Sequence, residues 1–178
     1  TPVNTSNVNG TVTYTLVPVV NGCTGSPRDY VVTVKPLPSV ASVNTIVCSE
    51  NNAVFNLTGS PQNIPGTTFS WTASLASGTV TGFSNGTGNL INQNLIAVPT
   101  GGSVNYLVTP NANGCNGPSQ VFVAQVNGKA MIDAGTDFQV CEPASFPVTG
   151  TLLGSSTSGS WQVEPGFGFG SITGTGIS

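Results

Sequence analysis

The residues whose types could do chemistry here are foremost four cysteines, Cys23, Cys48, Cys115 and Cys141, and six acids, Asp29, Glu50, Asp133, Asp137, Glu142 and Glu164, and histidine is absent. Without histidine the chain lacks both the usual general base at neutral pH and the commonest metal ligand. A glycosidase needs two facing carboxylates, one of them in a pocket that raises its pKa. The acids here are scattered, only Asp133 and Asp137 being close in sequence, and they read as turn and surface residues. Asp133, the turn at Gly135, Asp137 and Glu142 offer hard oxygens, but calcium takes about six to eight of them. The glycine-rich strings 166–170 and 173–176 lack the lysine and following helix of a phosphate loop. No catalytic, cofactor-binding or metal residue is therefore assigned, no cofactor is expected, and the chain reads as non-enzymatic.

The basic residues are three, Arg28, Lys35 and Lys129. They form no patch that could neutralise several phosphates, which excludes nucleic acid as a partner. Charged residues make up 5% of the chain while hydrophobic residues make up 38%. The polar surface must then be built of Thr, Ser, Asn, Gln and Gly, and these alternate with Val, Ile, Leu, Phe and Tyr in strand-length runs. That alternation predicts folded β structure. No apolar run reaches the roughly 18 residues needed to span a bilayer, so no membrane insertion is expected. Asn4, Asn9, Asn56 and Asn85 each open an Asn-x-Ser/Thr triplet, a frequency that chance explains in a chain so rich in Asn and Thr.

The elements that position these residues emerge from self-comparison. GTVTYTLVPVVNGCTG, beginning at Gly10, returns at Gly102 as GSVNYLVTPNANGCNG, with Tyr14 and Tyr106, Pro18 and Pro110, and Cys23 and Cys115 each 92 residues apart. Val47-Cys48 recurs as Val140-Cys141, 93 residues on, and Ser70-Trp71 as Ser160-Trp161, 90 residues on. One complete unit spans 37–128, preceded by the C-terminal part of a unit over 1–36 and followed by the N-terminal part of another over 129–178. Within 37–128, strands are expected at 39–47, 53–58, 67–73, 79–83, 90–98, 103–109 and 120–126, separated by Asn-, Gly- and Pro-rich turns. Seven short strands so spaced predict an immunoglobulin-like β-sandwich.

Phe69, Trp71 and Ala73 occupy alternate positions and so share one face of a strand, making Trp71 a core anchor. Tyr106 stands near the start of the penultimate strand, where a sandwich often places a tyrosine whose hydroxyl ties down the preceding corner. Tyr14 and Trp161 are the corresponding anchors of the flanking units. Pro36 and Pro38 fix φ at a junction and limit its bending, so the expected object is a semi-rigid rod.

The cysteines form no C-x-x-C pair and in an oxidising exterior are expected as disulfides. Cys48 with Cys115 closes a loop inside the complete unit and leaves Cys23 and Cys141 with partners outside the segment; Cys23 with Cys48 and Cys115 with Cys141 bridges neighbours instead. The first pairing is preferred, although plain immunoglobulin topology puts Cys48 and Cys115 toward opposite ends. Free cysteines behaving as small hydrophobes are the third possibility.

YTLVPVVNGCTG with VVTVKPLPSV, then IVCSENNAVFNL, FSWTAS, GTVTGFS and the second NGC resemble the PKD-like repeats of giant Bacteroidota surface proteins, above all the very large mobile gliding adhesins of flavobacteria. DAGTDFQVCEPASFPVTG looks like a sister repeat of the same proteins. The resemblance implies an all-β tandem of PKD-like sandwiches forming the stalk of a secreted adhesin used in surface attachment and gliding motility. It also implies export by the type IX secretion system and display on the outer surface of a Gram-negative bacterium. The partners it implies are neighbouring repeats of the same chain, secretion or motility machinery, and surface polysaccharide. The other reading is a carbohydrate-binding accessory module of a secreted polysaccharide-degrading enzyme, for which Phe83, Phe167 and Phe169 are the candidate stacking residues.

Overall fold

The computed structural model describes residues 1–137, 139, 141, 147–154, 156–162 and 176–177. Among these residues every regular element is a strand. The N-terminal part folds as a hairpin of β1 (Gly10–Leu16) and β4 (Arg28–Val34), tipped by the short pair β2 (Val19–Val20) and β3 (Cys23–Thr24). The central unit contains β5 (Asn44–Cys48), β6 (Asn51–Asn56), β7 (Thr68–Thr81), β8 (Gly86–Thr87), β9 (Leu90–Ala112), β10 (Cys115–Asn116) and β11 (Gln120–Asn127). Beyond it lie β12 (Met131–Asp133) paired with β13 (Thr151–Leu153), and β14 (Gly159–Ser160) paired with β15 (Gly176–Ile177).

The central unit is a sandwich made by two long strands that each serve both layers. Residues 90–95 of β9 pair with β6, whereas residues 102–108 lie between β7 and β11. Side-chain alternation records the crossing. Ile91, Leu95 and Ala97 face inward at odd positions, and Val104, Tyr106 and Val108 at even ones. Inward positions in β7 likewise change from Phe69 and Trp71 to Val80. A strand has a side-chain period of two, so a change of parity requires an irregularity. It is found where the partners of β7 jump from Gly102, opposite Gly78, to Ala97, opposite Val80. Gly78, with φ of 65°, lies so close to the carbonyl of Gly101 that a side chain there would collide with it. The turn expected at Thr100–Gly102 is thus a bend inside a continuous strand, and 67–73 with 79–83, and 90–98 with 103–109, are two strands instead of four.

The expected strand 39–47 is divided: Val40 makes a single bridge to Gly59, and β5 crosses to pair in parallel with β11. A core of sixteen buried residues lies wholly between Val40 and Val126, among the described residues. At its centre Phe55 meets Tyr106 and Phe122 edge-on, at 5.7 and 5.5 Å between ring centroids, an arrangement that suits the ring quadrupoles.

The 92-residue period is also a period in space. Gly10 pairs with Val34 through to Leu16 with Arg28, and Gly102 with Val126 through to Val108 with Gln120, every pair advanced by 92. Both hairpins turn on an Asn-Gly pair with positive φ, Asn21 at 49° and Gly22 at 82°, Asn113 at 52° and Gly114 at 78°. This is the type I′ turn whose twist matches that of its flanking strands. Each is closed by one backbone bond of 2.8 Å, from Gly25 N to the Pro18 carbonyl and from Gly117 N to the Pro110 carbonyl.

Candidate functional site

The polar groups of the central unit gather first around its two aromatic anchors. Tyr106 is fully buried, and its hydroxyl donates to Oε1 of Gln93 at 3.0 Å. Burial pushes its phenol up to about 12, so the proton stays on the oxygen at ordinary pH. Gln93 Nε2 donates to the Ser84 carbonyl at 2.8 Å and Gln93 Oε1 accepts the Ser84 N–H at 3.0 Å. The indole N–H of Trp71 donates to that same Ser84 carbonyl at 3.1 Å. The tyrosine therefore ties to a glutamine side chain on the first half of its own bent strand. Gln93 escaped the sequence reading; its signal is a polar residue at an inward position between Ile91 and Leu95, which must find partners when covered. Trp71 is 7% exposed and lies against Gly86.

The corresponding aromatics of the flanking parts sit differently. Tyr14 is 47% exposed, directly opposite the exposed Tyr30, because β1 and β4 form a two-stranded sheet of their own. One period later the same two positions are Tyr106 and Phe122, both covered. Trp161, next to β14, is half-buried.

All four cysteines are free, and the preferred pairing of Cys48 with Cys115 is corrected by strand direction. Because β5 runs parallel to β11, Cys48 lies beside Asn127 at the far end of β11. Cys115 is in the turn that precedes the start of β11 at Gln120. At a rise of about 3.3 Å per residue the two ends of β11 are about 23 Å apart, whereas a disulfide requires Cα atoms within about 7 Å. The neighbour-bridging pairings Cys23 with Cys48 and Cys115 with Cys141 are not formed either.

The acids hold turns and edges. Asp29 accepts the Thr15 hydroxyl at 2.6 Å, and Asp133 accepts the Gly135 N–H at 2.9 Å. Glu50, at φ of 72° in the turn between β5 and β6, pairs with Lys129 at 3.1 Å on the open surface. Glu142 and Glu164 lie outside the described residues. Among the described residues no three acids or cysteines gather as a metal site. Phe83 is half-buried and packed against the core, and Phe167 and Phe169 lie outside the described residues. An open depression of about 560 Å³ is lined by uncharged residues, among them Thr67, Ser70, Thr87, Asn89 and Asn111. Its one aromatic, Phe69, is 5% exposed.

The ends of the central unit carry its remaining specific contacts. At the leading end Lys35 Nζ donates to the Asn113 carbonyl at 2.7 Å, and Gln62 Nε2 donates to the Thr5 carbonyl. Pro36 and Pro38 are fully covered there, with Gly117 against the Pro38 carbonyl. At the trailing end Lys129 meets Glu50, and Gly154 lies against Pro99. Gly154 follows Gln62 by one period, and Pro99 lies two residues past the counterpart of Thr5, so related surfaces meet at both junctions. No helix among the described residues is long and apolar enough to cross a membrane.

A search of the curated proteins finds no match to this chain. A family model described as a PKD-like domain matches residues 1–38 and 45–130, more than half of the chain, in two stretches that each include the Asn-Gly-Cys hairpin. With the sandwich, the recurring hairpin register and this match together, the chain belongs to the PKD-like domain family.

Proposed function

We propose that this chain is a stalk segment of a very large secreted adhesin, in which copies of a low-charge sandwich hold a distal binding region away from the cell. The recurrence of one hairpin register at a spacing of 92 residues carries this reading, together with related contacts at successive junctions. PKD-like modules are generally non-catalytic, and the polar groups here are spent on core, turn and junction bonds. The work is mechanical: ladders of backbone bonds resist the pull that accompanies movement over a surface. The sequence resemblance supports export by the type IX system, display on the outer surface of a gliding bacterium, and contact with motility machinery and surface polysaccharide.

Antibody raised against residues 37–128 is expected to label intact cells of the producing bacterium and to lose that labelling when type IX export is disabled. Labelling that appears only after lysis overturns the reading.

A further inference from the structure

We propose that consecutive units are stapled across their junction by a disulfide, formed between the Cys48 position of one unit and the Cys115 position of the next. The inference rests on the tandem-repeat reading above. Inside one unit the two positions stand at opposite ends of β11 and cannot meet. Those opposite ends are the two that face neighbouring units.

At the leading end, Lys35 Nζ bonds the carbonyl of Asn113 in the turn that carries Cys115, which is half-buried two residues on. Lys35 precedes Asn127 by one period, and Asn127 is the strand partner of Cys48. The Cys48 position of the preceding unit is therefore the strand neighbour of Lys35, the residue that holds the Cys115 turn. At the trailing end, Cys48 is exposed two residues before Glu50, where the following unit docks through Lys129 and Gly154. Each junction thus presents one thiol of each kind. The proposed partner of Cys115 is the Cys48 position one period earlier and that of Cys48 is the Cys115 position one period later, neither within residues 1–178.

Formation of the bond is a balanced exchange with a small-molecule disulfide such as oxidised glutathione. The two cysteine thiols are oxidised to one S–S bond, the glutathione S–S bond is reduced, and its two sulfurs leave as thiols carrying the two hydrogens.

The test uses a chain in which residues 129–178 are replaced by a second copy of 37–128, which preserves the period because residue 129 follows residue 37 by 92. Each copy carries the whole core cluster. After incubation with oxidised glutathione, peptide mapping under non-reducing conditions is expected to find Cys48 of the first copy joined to Cys115 of the second. Cys48→Ser in the first copy is expected to abolish that peptide. A link within one copy, or all thiols still open to alkylation in a folded chain, overturns the staple. In the 178-residue chain itself, Lys35→Cys is expected to bond Cys115 under the same oxidant; a folded variant with both thiols free overturns the junction geometry. A tandem chain that scatters X-rays as an extended rod yet forms no link leaves the stalk standing and removes only the staple.

Discussion

Gln93 links the two aromatic anchors of the central unit, since Tyr106 bonds it directly and Trp71 shares its partner, the Ser84 carbonyl. Replacing it by leucine leaves the buried phenol and the Ser84 N–H without their acceptor. An unsatisfied buried group costs about 1–3 kcal/mol, so Gln93→Leu is expected to lower stability in urea by about that amount, followed by tryptophan fluorescence. Tyr106→Phe leaves Gln93 still bonded to Ser84 and is expected to cost less, about 1 kcal/mol. The tyrosine also sets an alkaline limit. Its phenol ionises near 10 in the unfolded chain and at about 12 when folded. The stability linked to it is complete below pH 10 and lost as pH rises through about 12. Urea midpoints measured from pH 9 to 12 are expected to fall for the native chain and to fall less for Tyr106→Phe. Trp71 was legible in sequence because alternation of Phe69, Trp71 and Ala73 assigns it to a face. Gln93 was not, since a polar residue in a strand looks like a solvent position until its parity with Ile91 and Leu95 is taken seriously.

At the scale of elements, 53–58 and 120–126 form separate strands much as expected, whereas 67–73 with 79–83, and 90–98 with 103–109, are runs of two continuous strands. The Gly-rich stretch at 100–102 reads as a turn, yet here it and Gly78 let two paired strands bend together from one layer to the other. Gly78→Ala places a methyl group against the Gly101 backbone at a φ of 65°. Gly114→Ala meets the same kind of φ penalty at 78° but has open space around it. An L side chain at positive φ costs about 1–2 kcal/mol. Gly114→Ala is expected to lose about that much in urea titration and Gly78→Ala distinctly more; equal losses remove the close approach as a determinant of the bend. The direction of β5 lay beyond sequence reading for a different reason. An edge strand beside β11 shows the same alternation whether it runs parallel or antiparallel, and that single choice sends Cys48 to the end opposite Cys115.

For the whole molecule, stiffness depends on the junctions, and the contacts at the leading end of the central unit are few and specific: Lys35 to Asn113, Gln62 to Thr5, and the covered Pro36 and Pro38. The prolines restrict φ whatever their neighbours do, so the two side-chain bonds set how narrowly the remaining freedom is held. Both bonds are exposed, and an exposed substitution outside a core costs within about 0.5 kcal/mol. Lys35→Ala with Gln62→Ala is therefore expected to leave the unfolding midpoint of the central unit unchanged while widening the distribution of angles between the first hairpin and that unit. Cys23 and Cys48 are exposed on either side of this junction, and with Cys115→Ser and Cys141→Ser they become the two sites for spin labels. Dipolar spectroscopy is expected to give a narrow distance distribution for the native junction and a broad one for the double alanine variant. An unchanged distribution assigns the stiffness to the prolines alone, without help from the side-chain contacts across the junction.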